Sequence, residues 1–316
     1  MTLWAVTAIY YSNLPTPFLR VFGGVLFPLI AIFIFWRIRP IRKGLLGFGV
    51  LWFVVLLWWL WIPPSNQRNW QPDVAVLPSA TINGNQITVH NIRNCDYRST
   101  TDFTVAHYDK TFDLSKLEGA DLFLCYWGPT AIAHTIMSFC FEGDQILAIS
   151  IETRKEVGED YSAVKGFFKQ YELIYVVGDE RDLVRLRTNF RGEDVYLYRL
   201  NAKPELVRSV LLDYLDTING LTQKPEWYNA LTLNCTTAIR GHTQPYAHGH
   251  LSWKMIVNGY LDTLLYERKT IDTRLPFEQV KSLSKIHDKA KNAGNSPDFS
   301  TRVREGVPNL RQPAGN

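Results

Sequence analysis

AIAHTIMSFCFEGDQILAISIET, residues 131–153, reads as two apolar strands folded back on each other across Glu142-Gly143-Asp144. Both halves are rich in β-branched and aromatic residues and contain no proline, which suits a buried sheet. With a three-residue loop, Phe141 pairs with Gln145, and counting back along the ladder sets His134 opposite Glu152 on one face. A two-residue Gly143-Asp144 turn would instead set Thr153 opposite His134. His134 interrupts an otherwise apolar run. A carboxylate beside such an imidazole fixes its tautomer and stabilises its charged form. The competing reading of His134 is a hydrogen-bonded core histidine.

Further strands fit around this hairpin. Residues 74–89 read as extended segments about an Asn83-Gly84 turn, and residues 121–127 form a strand candidate that stops at Gly128-Pro129. Short apolar runs at 173–177 and 195–200 add two more. Helical spacing marks residues 162–171, 204–219 and a segment from Asn234 onward. The expected fold class is α+β with a mainly antiparallel sheet. From Phe277 the chain turns polar, and residues 294–316 are rich in Pro, Gly and Asn, which predicts a partly disordered tail.

Toward the N-terminus, residues 18–36 are apolar except for Arg20, and residues 44–62 carry no charge. Each run is long enough to cross a bilayer as a helix. Between them lie Arg37, Arg39, Arg42 and Lys43, and the positive-inside rule holds such a loop in the cytoplasm. A hairpin anchor over residues 1–63 follows, with both termini and a domain over residues 64–293 outside. In a bacterium that means the inner membrane and the periplasm. Six of the ten tryptophans (Trp4, Trp36, Trp52, Trp58, Trp59, Trp61) fall in this anchor. So does the basic excess, because Lys and Arg (34) and Asp and Glu (30) nearly balance once the anchor's five cations are set aside. No nucleic-acid partner is expected.

Chemistry is suggested by WYNALTLNCTTAIR, residues 227–240. Asn234 suits an N-cap, which puts Cys235 in the first turn of a helix, where the positive helix end favours the thiolate. Thr236, Thr237 and the first-turn amides would then form an oxyanion site. The competing reading makes Cys235 a small buried apolar residue. A nucleophilic Cys needs a base, and His134 stands out among the seven histidines. His242, His248 and His250 cluster in a Gly/Pro-rich stretch, where a loop is the better reading than a metal site. Glu152 to Glu156 reads as a charged strand end, with Arg154 and Lys155 able to face lipid headgroups. Cys125 and Cys140 lie on neighbouring strand candidates, so a disulfide between them is open.

Several motifs together resemble a known family. SNQRNW (65–70), DLFL (121–124), ISIETRK (149–155), DVYLYR (194–199), WYNAL (227–231) and NCTT (234–237) are similar to the Lnb N-terminal periplasmic domain family, over about residues 65 to 310. The resemblance implies a permuted papain-like (NlpC-like) domain in which a strand His, here His134, precedes the Asn-Cys pair, here Asn234-Cys235. It further implies N-acylation of lipoproteins, with the Cys taking an acyl chain from phospholipid and passing it to the α-amine of a diacylated lipoprotein. Two features depart from the pattern. Ala133-His134-Thr135 stands where many members have Gly-His, and the helical anchor precedes the domain instead of following it.

The function expected from residues and resemblance together is a thiol acyltransferase that needs no metal or other cofactor. Cys235, His134 and Glu152 are its catalytic set; Asn234, Thr236, Thr237, Arg154 and Tyr126 are expected around substrate or oxyanion. The alternatives are a cysteine peptidase or amidase acting on peptidoglycan and a non-catalytic envelope protein.

Overall fold

The protein is described here by a computed structural model covering residues 1–230, 232, 235–244 and 252–311, with Cys235 and Ile256 described by their backbone. Three helices open the chain: α1 (Thr2–Tyr10), α2 (Pro17–Arg37) and α3 (Ile41–Trp61). α2 and α3 are the two apolar runs, each long and apolar enough to cross a membrane. Their side chains are largely uncovered by the rest of the chain, whereas the core helix of a soluble domain would be buried. α1 is too short to stand out in the sequence. It packs Ala5 and Ile9 on Phe27 and sets Trp4 5.4 Å from the rings of both Trp52 and Trp59.

Pro63-Pro64 end the anchor, and the next residues are held tightly. Ser65 N–H donates to Glu172 at 3.0 Å, Arg68 pairs with Glu156 (3.0 Å) and Glu172 (2.9 Å), and the Arg154 guanidinium lies 4.2 Å over the Trp70 ring. Trp227 Nε1 donates to the carbonyl of Ile62 at 3.1 Å. The linker is therefore a docked segment that fixes the domain to the end of α3.

The strands follow as β1 (Ser79–Asn83), β2 (Gln86–Arg93), the small β3 (Asp96–Tyr97) and β4 (Phe103–Thr104), then β5 (His107–Asp113), β6 (Leu117–Tyr126), β7 (His134–Phe141) and β8 (Gln145–Arg154). After α4 (Ala163–Phe167) come β9 (Glu172–Gly178), α5 (Glu180–Arg185) with a π-helical turn over Leu186–Phe190, and β10 (Asp194–Arg199). The helices α6 (Pro204–Gln223), α7 (Cys235–Thr243), α8 (Trp253–Ile256), α9 (Leu261–Glu267), α10 (Phe277–Ser284), α11 (His287–Ala293) and α12 (Phe299–Arg304) complete the fold. The sheet runs β1-β2-β9-β8-β7-β6-β10, with β5 also on β2. All its pairings are antiparallel except β2 with β9, so the expected α+β class with a mainly antiparallel sheet holds.

The first turn is Gly84-Asn85, because Asn83 pairs with Gln86 and Gly84 takes φ +61°, one residue later than the Asn-Gly pair suggests. The β7–β8 loop is Glu142-Gly143-Asp144, with Phe141 on Gln145. Alternate side chains serve two apolar layers. Leu122, Leu124, Met137, Phe139, Leu147 and Ile149 meet α6, α7 and α9 on one face. Phe123, Ile136, Ala148, Ile174 and Val176 meet α5, α11 and α12 on the other.

The stretch after Gly294 is in part a packed element: α12 buries Phe299 and Val303, while residues 312–316 lie outside the described residues. Polar composition hides it because only one residue per turn faces inward. Cys125 and Cys140 are both buried and free. Their partners in the β6–β7 ladder, His134 and Gly119, stand at opposite ends of it, which rules out the bridge.

Burial raises the Glu172 carboxyl to about 7 from its usual 4.5, with Arg68 opposing. Its Oε2 is buried without a hydrogen-bond partner among the described residues, which adds to the cost of ionising it. A folded-state value above the unfolded one stabilises below the unfolded value, and the benefit disappears as pH rises through the folded value. The stability of the parent relative to Glu172→Gln should therefore fall by about 3 kcal/mol between pH 4.5 and 7.5, measured by denaturant unfolding in detergent. A pH-independent difference would refute this.

Candidate functional site

His134 opens β7 and is buried. Its Nε2 lies 2.7 Å from Ser150 Oγ and 3.1 Å from Glu152 Oε1, and the Ser150 hydroxyl donates to the same carboxylate oxygen at 2.7 Å. Ser150 and Glu152 reach His134 because they alternate on β8, on the face that His134 shares with Ile136. Arg187, on the π-helical turn, closes the group from beyond the sheet. Its Nη2 is 2.9 Å from Glu152 Oε1, and its Nη1 is 3.0 Å from Glu193 Oε2. Burial alone would raise the Glu152 carboxyl, but His134 and Arg187 together hold it well below the usual carboxylate range. An anion at Nε2 favours the tautomer protonated there, which leaves Nδ1 as the basic nitrogen.

α7 crosses the other face of the sheet, with Ala238 in the apolar layer. Two polar anchors fix it. Near its C-terminal end, His242 sits between Asp213 (Nδ1 to Oδ2, 2.6 Å) and the Tyr175 hydroxyl (2.7 Å from Nε2). Burial lowers the His242 pKa, with Asp213 opposing. In the first turn, buried Thr236 Oγ1 accepts from Asn258 Nδ2 at 2.9 Å, and Asn258 Oδ1 accepts from the Ala133 N–H at 2.9 Å. One amide thus ties the residue after Cys235 to the residue before His134. The neighbouring Gly259 fits there because it has no side chain: a Cβ would stand 2.0 Å from the Thr130 carbonyl oxygen.

A cavity of about 460 Å³ opens around the end of the strands. His134, Glu152 and Arg187 line it from one face, Ile151, Thr153 and Tyr228 from the other, and Tyr161, Ala163 and Phe167 form its outer wall. Through Trp127, Arg191 and Glu193 it adjoins a more polar cavity of about 530 Å³ bordered by Tyr126, Tyr196, Lys281 and His287.

The expected residues thus divide. His134 and Glu152 come together, and Thr236 is linked to the neighbouring Ala133 backbone through Asn258, with Thr237 half-buried in the same first turn. Tyr126 lines the adjoining cavity and donates its hydroxyl to the Gly259 carbonyl at 2.8 Å. Arg154 stands apart and is a correction. It is buried, and its guanidinium bonds the carbonyls of Val74 and Ala75 and the Asn66 side chain, so it clamps the linker and faces neither substrate nor lipid. The Cys235 backbone begins α7; its side chain, Asn234, His248 and His250 lie outside the described residues.

Sequence reading missed Ser150, Arg187 and Asn258. The alternation Ile149-Ser150-Ile151-Glu152 carried a signal, since a hydroxyl two residues from Glu152 must share its face. Nothing local marks Arg187 or Asn258, which reach the site through tertiary packing alone.

Neither a curated protein nor a solved structure matches the chain. The model of the Lnb N-terminal periplasmic domain family matches residues 104–267. That match takes in β5 through α9, and with them His134, Glu152, Arg187, Cys235 and Asn258. The apolar α2 and α3 are consistent with a membrane-anchored periplasmic protein. With just over half of its length matched, the chain belongs to the Lnb N-terminal periplasmic domain family.

Proposed function

We propose that the protein is a membrane-anchored periplasmic thiol acyltransferase in which Cys235 is the nucleophile, His134 the general base and acid, and Glu152 the orienting group. The observation that carries this reading is the Asn258 amide, which joins Ala133 N–H to Thr236 Oγ1 and so holds the start of α7 against the start of β7. Strand His before helix-N-terminal Cys is also the order that family membership leads one to expect.

The chemistry follows from these roles. His134 Nδ1 accepts the Cys235 thiol proton, and the thiolate attacks the ester carbonyl of a phospholipid. First-turn amides of α7 receive the oxyanion, the imidazolium returns its proton to the departing lysophospholipid oxygen, and a thioester remains. The α-amine of a diacylated lipoprotein then attacks that thioester, His134 takes the amine proton, and the Cys235 thiol is restored. Glu152, kept anionic by Arg187, stabilises the imidazolium in both halves. The cationic loop between α2 and α3 lies in the cytoplasm, which puts both termini in the periplasm. No metal or nucleotide takes part.

A second reading rests on the polar cavity beside Arg191, Lys281 and His287, whose lining suits a peptide: the same dyad would then cleave an amide of peptidoglycan. Intact mass spectrometry of the full-length protein after incubation with phospholipid vesicles tests the first. The expected result is an acyl adduct that hydroxylamine removes and that Cys235→Ser lacks. No adduct, together with cleavage of muropeptides, would establish the second reading in its place.

A further inference from the structure

We propose that residues 157–168, centred on α4, lie in the headgroup layer of the bilayer crossed by α2 and α3, and that the inner side of α4 is the wall along which a lipid acyl chain passes into the His134 cavity. The route rests on the acyltransferase reading; the membrane contact does not.

Three observations converge on this segment. The first is its position. Phe168, directly after α4, stacks on Tyr11 (6.0 Å) and approaches Trp4 (6.4 Å), both at the outer end of the anchor. Lys169 Nζ donates to the carbonyls of Trp59 (3.0 Å) and Leu60 (2.9 Å), which end α3, and lies 4.6 Å over the Trp59 ring. Tryptophan at the end of a spanning helix marks the membrane interface, so α4 sits at that level.

The second is exposure. Val157, Tyr161, Val164 and Phe167 are between 41% and 56% exposed, four large apolar side chains within eleven residues. Val164 and Phe167 are three apart on α4 and share a side. Against water such a set is costly, and the apolar interior of the adjoining leaflet is the nearest cover.

The third is continuity. Tyr161, Ala163 and Phe167 line the cavity that holds His134 and Glu152. The segment that touches the anchor is therefore also a wall of the site. A chain leaving the leaflet along it would reach the dyad without crossing open water, which is what transfer of an insoluble acyl group requires.

Spin labels test the membrane contact independently of activity. In the full-length protein carrying Cys235→Ser, where Cys95, Cys125 and Cys140 are buried, single cysteines at Val157, Val164 and Glu142 would be labelled. The protein would sit in nanodiscs of phosphatidylethanolamine and phosphatidylglycerol. Glu142, at the far end of β7 from His134, is the water control. Collisions with oxygen should dominate over those with a nickel chelate at positions 157 and 164, and the reverse should hold at 142. Nickel-dominated collisions at both 157 and 164 overturn the proposal.

For the route, Val157→Glu combined with Val164→Glu should slow acylation by vesicle phospholipid at least about tenfold. Acylation by a short-chain, water-soluble thioester should stay within about twofold of the parent. Equal loss with both donors, or loss with neither, overturns the route. A parent that takes no acyl group from either donor overturns the acyltransferase reading and the route with it, while the collision ratios still decide the membrane contact.

Discussion

Replacing His134 by alanine is expected to slow acyl-enzyme formation by about three orders of magnitude at neutral pH. A cysteine thiol of ordinary pKa is mostly protonated at pH 7 and needs a base within reach to become the nucleophile. In the proposed mechanism His134 supplies that base, and Ser150 and Glu152 hold it at its Nε2. Glu152→Gln should cost about tenfold to a hundredfold, because the amide retains a hydrogen bond but removes the charge that stabilises the imidazolium. Asn258→Ala should fall in the same range, since it frees the first turn of α7 from the start of β7. Single-turnover acylation, followed by intact mass, separates these cases. A His134→Ala variant that acylates within about threefold of the parent would remove His134 from the mechanism.

The contact between His134 and Glu152 was legible because a hairpin obeys simple counting. Phe141 on Gln145 fixes the ladder to Ile136 on Ser150, and the next same-face pair brings His134 to Glu152. The long apolar helices α2 and α3 were legible for an equally local reason, since an apolar run of that length stands out without reference to the rest of the chain. Arg154 was misread because a charged strand end looks solvated until the linker is known to fold back over it. Trp70 and Asn66 do so across roughly eighty residues, a distance at which sequence patterns say nothing. Arg187 and Asn258 arrive by the same kind of long-range packing. Several motifs behind the family resemblance also prove to be joints of the fold. Residues 65–70 meet 149–155 through Arg154, and Asp121 meets Arg199 across β6 and β10.

That last joint leads to the largest expected loss of stability. Asp121 is fully buried in β6 and faces three guanidiniums: Arg199 Nε at 2.9 Å, Arg304 Nε at 2.8 Å, and Arg311, which reaches the same oxygen as Arg199. Glu180 pairs with Arg304 at 2.7 Å and supplies a second anion, so three cations share two carboxylates. Burial alone would raise the Glu180 carboxyl, yet Arg304 keeps it below its usual value. Asp121→Ala would leave three buried or half-buried cations with one anion, and stranding buried charge costs on the order of 3–5 kcal/mol. For a domain of this size that corresponds to a fall of about 10 °C in Tm, readable by thermal unfolding in detergent. Arg199→Met is the informative comparison. It removes one cation and leaves the remaining charges balanced, so it should cost less than about half as much. Because Arg304 lies on α12 and Glu180 on α5, hydrogen exchange in Asp121→Ala should quicken first in those two helices and more slowly in β7 and β8. Equal losses from Asp121→Ala and Arg199→Met would mean that packing, and not the charge balance, holds α12 to the sheet.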